Sequence, residues 1–196
     1  MRKGFLIVIS APAGCGKDTI VERLLEKERD IRYSVSTTTR EIRNGETEGS
    51  HYFFKTRKEF EELIERGEFL EYTEYCGNYY GTRKAAVMDA LDNGFDILLK
   101  IEVHGAEHIK KMFPDSVLVF IHPPSLEELR RRLIKRGTED LETIEHRISV
   151  AVREMSMQCD HYDHYIINDD LDKAVNEIRD IIHKKRREQQ EREERG

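Results

Sequence analysis

An apolar run, Phe5-Leu6-Ile7-Val8-Ile9, leads within two residues into Ala11-Pro12-Ala13-Gly14-Cys15-Gly16-Lys17-Asp18-Thr19 and then Ile20-Val21-Glu22-Arg23-Leu24-Leu25. A strand, a glycine-rich turn and an amphipathic helix in that order form the context a phosphate-binding loop requires. Glycines let successive backbone N–H groups converge on an anion, and the following helix turns its positive end to the same point. Lys17 would reach the outer phosphates as a point charge. An ordinary strand-to-helix turn is the plainer alternative; Gly14, Gly16 and Lys17 together weigh against it. Residues 11–19 are therefore the expected nucleoside triphosphate site.

The 196 residues suit one domain with a substantial core, and 38% hydrophobic against 37% charged residues describes a soluble, highly charged surface. Apolar runs stop far short of the ~20 residues that span a bilayer. Met1-Arg2-Lys3-Gly4 runs straight into a predicted strand, so no signal peptide is expected. Cys15, Cys76 and Cys159 form no paired spacing, which fits free thiols in a reducing, cytoplasmic setting. The net charge of −6 argues against a general nucleic-acid binder. Basic residues cluster locally at Arg40/Arg43, Arg130-Arg131-Arg132 and Lys135/Arg136. Such clusters suit small anionic ligands or a solvated helix face. No membrane partner is expected, and oligomeric state is not readable.

Strands are expected at 5–9, 97–103, 117–121 and 165–167, apolar enough for a parallel sheet covered on both faces. Helices are expected at 17–28, 83–93, 125–136, 141–159 and 171–190, with Ser125 as an N-cap. Residues 34–83 read as a small subdomain, with β-like pieces at 33–37 and 51–55 around a turn at Asn44-Gly45. The run from Lys184 to Gly196 reads as a solvated, fraying helical tail, a partner-binding arm being the other reading.

More specific signals lie in this insertion and beyond it: Ser34-Val35-Ser36-Thr37-Thr38-Thr39-Arg40-Glu41-Ile42-Arg43-Asn44-Gly45-Glu46, Gly49-Ser50-His51-Tyr52-Phe53-Phe54, Phe69-Leu70-Glu71-Tyr72 and Gly77-Asn78-Tyr79-Tyr80-Gly81-Thr82. With the phosphate loop, Ile101-Glu102-Val103-His104-Gly105-Ala106, Arg136-Gly137-Thr138-Glu139 and Asn168-Asp169-Asp170, their order and spacing resemble guanylate kinases of bacterial type over residues 4–184. The resemblance implies an α/β P-loop nucleoside monophosphate kinase fold, a parallel sheet flanked by helices. It divides the chain into a core (4–33, 84–124 and 144–184), a GMP-binding insertion (34–83), a lid (125–143) and a charged tail (185–196).

The implied reaction is ATP + GMP ⇌ ADP + GDP with Mg²⁺, ATP and GMP being the only partners expected. For the base, the resemblance implies Glu71, accepting the N1–H and exocyclic amine of guanine, with Ser36 and Thr82 as hydroxyl partners and Glu102 nearby. Arg40, Arg43, Tyr52 and Tyr80 would hold the GMP phosphate, while Tyr79 reads as core. Lys17, Arg132, Arg136 and Arg147 would surround the ATP phosphates, and Asn168 would border adenine. No nucleophilic side chain is needed, because the acceptor oxygen is already ionised and alignment with charge neutralisation does the rest.

Four positions depart from the commonest family pattern: Ala11, Asp18, Lys100 and His104. Asp18 stands where a hydroxyl would meet Mg²⁺, with Thr19 directly after it. Asp18 would ligate the metal or pair with Lys100; alternatively, it complements its helix N-terminus while Lys100 faces solvent or phosphate. Cys15, next to a helix N-terminus, is expected to favour its thiolate and to react readily. Cys159, His161 and His164 lack the spacing and fourth ligand of a zinc site, and His104 and His108 read as helix-surface residues. Two other functions fit parts of the pattern: a catalytically impaired guanylate-kinase-like module that binds phosphopeptides, and a related P-loop kinase of another small molecule.

Overall fold

The computed structural model describes residues 3–75, 77–136, 140–156 and 162–195. In chain order the elements are β1 (Leu6–Ser10), α1 (Lys17–Lys27), β2 (Ile31–Ser34), β3 (Thr37–Thr38), β4 (Phe53–Phe54), α2 (Arg57–Glu65), β5 (Phe69–Tyr75), β6 (Asn78–Arg83), α3 (Lys84–Asp92), β7 (Asp96–Lys100), α4 (Val103–Met112), β8 (Val117–His122), α5 (Leu126–Arg136), α6 (Leu141–Ser156), β9 (His164–Ile167) and α7 (Leu171–Arg195). Five strands form a sheet in the order β2-β7-β1-β8-β9, with β2 parallel to β7 and β8 parallel to β9. Every residue of β1 is buried, as is β8 up to Ile121. Such uninterrupted apolar strands fit a parallel sheet covered by helices on both faces. A second sheet, β4-β3-β6-β5, is built on the antiparallel pairs β3/β6 and β5/β6.

The chain forms two compact units, residues 3–8 with 30–116, and residues 9–29 with those from 117 onward. The first holds the second sheet and α2–α4. Phe60 of α2 is fully buried and stacks on Phe69 and Tyr79, with ring centres 4.3 and 5.2 Å apart. Tyr79 thus packs against α2, in line with its expected role as a packing residue. A capping box opens α2: Thr56 accepts from the Glu59 amide while Glu59 accepts from the Thr56 amide.

In the second unit α1 and α7 are tied by one buried carboxylate. Glu28 accepts from Arg179 Nε at 2.8 Å and Arg186 at 3.1 Å, and meets His183 Nε2 at 2.9 Å. Burial pushes this carboxyl up, but the hydrogen bonds from Arg179 and Arg186 and the contact with His183 outweigh it and hold it below the usual range. Ser125 accepts from the Glu128 amide, so it caps α5 as expected.

Several boundaries differ from expectation. The strand expected over 97–103 ends at Lys100, because Glu102 is already the N-cap of α4 and Val103 its first residue. The piece expected over 33–37 divides: β2 belongs to the large sheet and β3 to the small one. Helix α2 and strands β5 and β6 were not anticipated as elements. The tail is helical to Arg195. Among the described residues no helix is long and apolar enough to cross a membrane. Cys76, Thr138, Cys159 and His161 lie outside the described residues.

Candidate active site

In the second unit, β1 ends in a loop whose two positive-φ residues are Gly14 (88°) and Gly16 (85°), the latter serving as N-cap of α1. An L side chain at either would be strained, and a Cβ at Gly14 would also press within 2.8 Å of Leu133. Lys17 opens α1, with Asp18 and Thr19 exposed in its first turn. Asn168, after β9, is nearly buried and donates from Nδ2 to the Cys15 carbonyl at 2.8 Å. That bond braces the loop from outside, a role the sequence did not suggest for a residue expected to border a base.

Arg132 extends the same network, donating to the Asn168 carbonyl at 3.0 Å and from Nε to Glu128 at 2.8 Å. Its neighbours behave as surface charges: Arg131 is mostly exposed and paired with Glu128, and Arg130 pairs with Glu145. Of the basic run, Arg132 alone turns inward. Arg136 closes α5, and its side chain lies outside the described part. Arg147 is half-buried on α6.

The expectation for Cys15 is overturned. Its side chain is fully buried, and burial pushes the thiol up to about 12 despite the nearby charges of Lys17 and Arg132. Desolvation outweighs the helix terminus, leaving a protonated thiol.

In the first unit, β5 and β6 place Glu71 directly across from Thr82. Both are buried, and Thr82 donates to Glu71 Oε1 at 2.6 Å. Burial raises the Glu71 carboxyl to about 7, and the negative charge of Glu102 adds to the rise. Gly105, in the first turn of α4, makes room for this group: a Cβ there would fall far inside contact distance of Glu71 Oε2. Ser36, between β2 and β3, is buried as well. A buried carboxylate beside the Thr82 hydroxyl suits a ligand edge carrying N–H donors.

Alongside lies a cationic cluster. Arg40 donates to Glu46 Oε1 and to the Glu41 carbonyl, both at 2.6 Å, and its guanidinium carbon is 5.4 Å from the Tyr52 ring centre. Tyr52 in turn meets Tyr80 edge-on at 6.0 Å. The Glu46 carboxylate also accepts the Arg43 amide at 2.8 Å, while the Arg43 side chain is exposed. Glu46 pins the loop carrying both arginines; only its spacing from Arg40 and Arg43 could have signalled this. Lys100, at the end of β7, has its ammonium 5.1 Å from the Tyr52 ring centre and 5.9 Å from that of Tyr33.

These features agree with what comparison reveals. A family model described as guanylate kinase matches residues 3–185. A guanylate kinase of Clostridioides difficile (strain 630) is 49% identical over 182 residues, covering 93% of this chain and 88% of that protein. One from Oceanobacillus iheyensis is 46% identical over 181 residues, covering 92% and 87%. The crystal structure of guanylate kinase from Anaplasma phagocytophilum superposes with a TM-score of 0.78 at 36% identity, covering 93% of this chain and 86% of that one. The chain belongs to the guanylate kinase family.

Proposed function

We propose that this chain transfers the γ-phosphoryl group of ATP to GMP, yielding ADP and GDP. The observation that carries the choice of acceptor is Glu71, a buried carboxylate joined to Thr82 by a 2.6 Å hydrogen bond. Guanine offers N1–H and an exocyclic amine on one edge, and a carboxylate accepts both. Adenine would leave the buried acceptor unmet, and a site of that kind discriminates by ~10⁴–10⁵. Ser36 and Thr82 supply hydroxyls to the base, with Glu102 adding negative charge beside it.

The acceptor phosphate belongs with Arg40, Arg43, Tyr52 and Tyr80. Guanidinium forks suit a dianion through paired hydrogen bonds, and phenol hydroxyls add donors. In the other unit, the amides of residues 11–19 and Lys17 cradle the ATP phosphates, with Arg132, Arg136 and Arg147 neutralising charge on the transferring group. Asn168 fixes the loop through Cys15 and borders adenine. In this assignment residues 34–83 form the GMP-binding insertion and 125–143 the lid.

Mg²⁺ accompanies ATP in this scheme. Asp18 offers exposed carboxylate oxygens beside Lys17, the hard oxygen donors that Mg²⁺ prefers, and Thr19 adds a hydroxyl in the same turn. The bound metal would supply charge neutralisation at the phosphates. The acceptor is itself an ionised phosphate oxygen, so no side chain has to act as a strong base; the residues orient, neutralise and exclude water.

A coupled assay of ADP formation with GMP, AMP, CMP and UMP tests the assignment. GMP-dependent ADP formation well above the other three is expected. Equal turnover with all four, or GMP binding without turnover, would refute it, and the latter would favour a phospho-ligand-binding module.

A further inference from the structure

We infer that Thr38 is a positioning residue for the acceptor phosphate, its buried hydroxyl fixing Arg40 and Tyr80 in one arrangement. The inference rests on the acceptor reading given above and extends it to a residue that makes no ligand contact of its own. Thr38 is fully buried at the end of β3, and its register partner on β6 is Tyr80. Its Oγ1 donates to the Tyr79 carbonyl at 2.9 Å and accepts the Arg40 backbone N–H at 3.2 Å. Burial pushes the Tyr80 phenol up, and a side-chain hydrogen bond with Thr38 opposes the rise. One hydroxyl thus serves three partners, the full capacity of a group with one donor and two acceptor sites.

β3 is only two residues long, so its ladder offers little to hold the chain where Arg40 leaves the sheet. Side-chain hydroxyls supply the missing ties. Thr39 adds to those of Thr38: its Oγ1 accepts the Tyr79 N–H at 2.8 Å, and its own N–H donates to the Tyr79 carbonyl at 3.0 Å. At the far end of the Arg40 side chain, Glu46 holds the guanidinium. Thr38 therefore sets the backbone of Arg40 and Glu46 sets its fork. A phosphate shared between a guanidinium and a phenol binds best when both already stand at the right spacing. The neighbouring Thr37 provides the contrast: it is equally buried, yet its Oγ1 has no hydrogen-bond partner among the described residues.

Affinities of GMP and guanosine, measured by calorimetry on the full chain, separate the phosphate's contribution from the base's. Wild type should bind GMP much more tightly than guanosine. Thr38→Val keeps the bulk and loses the hydroxyl; it should lower that ratio about tenfold, the scale of one hydrogen bond, with guanosine affinity unchanged. The KM for GMP should rise in step while that for ATP stays put. Thr38→Ser keeps the donor and both acceptor sites and should restore the ratio. Thr38→Cys, a weaker donor and acceptor, should fall between the two, and it reads the effect even where valine prevents folding. Thr37→Val should leave the ratio at the wild-type value. An unchanged ratio in the valine or cysteine variant at position 38, equal losses for GMP and guanosine, or the same drop in Thr37→Val overturns the role of Thr38. Failure of wild type to bind GMP would instead overturn the acceptor assignment itself.

Discussion

Replacing Glu71 by Gln should make the protein more stable and less selective at the same time. Burial raises the Glu71 carboxyl from 4.5 to about 7, so the folded chain holds a proton there that the unfolded chain releases. Stability consequently falls as pH rises from about 4.5 through 7, because over that window the folded state binds more protons. The total loss amounts to roughly 3 kcal/mol, most of it accumulated between about pH 4.5 and 7, and it levels off above that. Gln is neutral throughout, and its carbonyl oxygen can still accept from Thr82. Urea unfolding followed between pH 5 and 8 should show Glu71→Gln pulling ahead of wild type, from near parity at the acid end to a gain of roughly that size at pH 8. The same substitution should sharply reduce the preference for GMP over AMP in kcat/KM. Guanosine, which has no titrating phosphate, should bind wild type more tightly at pH 8 than at pH 5, and Glu71→Gln should lose this slope. A stability difference that is flat with pH, or a Gln variant weaker at pH 8, would refute the reasoning.

Gly105→Ala should displace the Glu71 carboxylate, lowering GMP-over-AMP selectivity at least tenfold while unfolding stability moves by less than about 1 kcal/mol, since Ala favours the helix; paired kinetics and urea melts check both. Asn168→Ala deletes the buried bond to the Cys15 carbonyl and should cost ~1–3 kcal/mol of stability. It should also weaken ATP binding while leaving guanosine affinity alone, as calorimetry with each ligand would show. Cys15 should resist alkylation in the native state at pH 8, its thiolate fraction being roughly a thousandfold below that of an ordinary thiol, and react on unfolding.

What the sequence revealed followed from local rules. The phosphate loop was readable because Gly14 and Gly16 occupy positive-φ positions that other residues resist, right after a strand too apolar to be exposed. Ser125 was readable as a cap because capping spans only three residues. Strands β5 and β6 were recognisable as motifs but not as strands. Glu71 and Thr82 are polar residues inside a buried face, which breaks the alternation that marks a strand. The boundary at Glu102 was hidden for the opposite reason, since Ile101 and Val103 prolong an apolar run across a helix start. Cys15 was misjudged because the helix terminus is a local feature, whereas its burial depends on elements far away in sequence.

Each unit keeps a key arginine on an internal carboxylate. Arg40 is held by Glu46 at 2.6 Å, and Arg132 by Glu128 at 2.8 Å. Both carboxyls are held below the usual range, Glu46 by Arg40 against the opposing push of burial and Glu128 down to about 2 by Arg131 first and then Arg132, so both stay ionised at neutral pH. A guanidinium has five donors in a fixed fork, and a carboxylate leaves several of them for a ligand. On the proposed assignment, each pair would hold its arginine at a defined position before a phosphate arrives and so lower the ordering cost of binding. It also partly neutralises the site, so a weakly charged anion gains little there. A phosphate dianion or a triphosphate brings enough charge to compete with the resident carboxylate. By this logic, removing Glu46 or Glu128 would disorder an arginine rather than liberate it, and phosphate affinity would fall with the loss of the acidic partner.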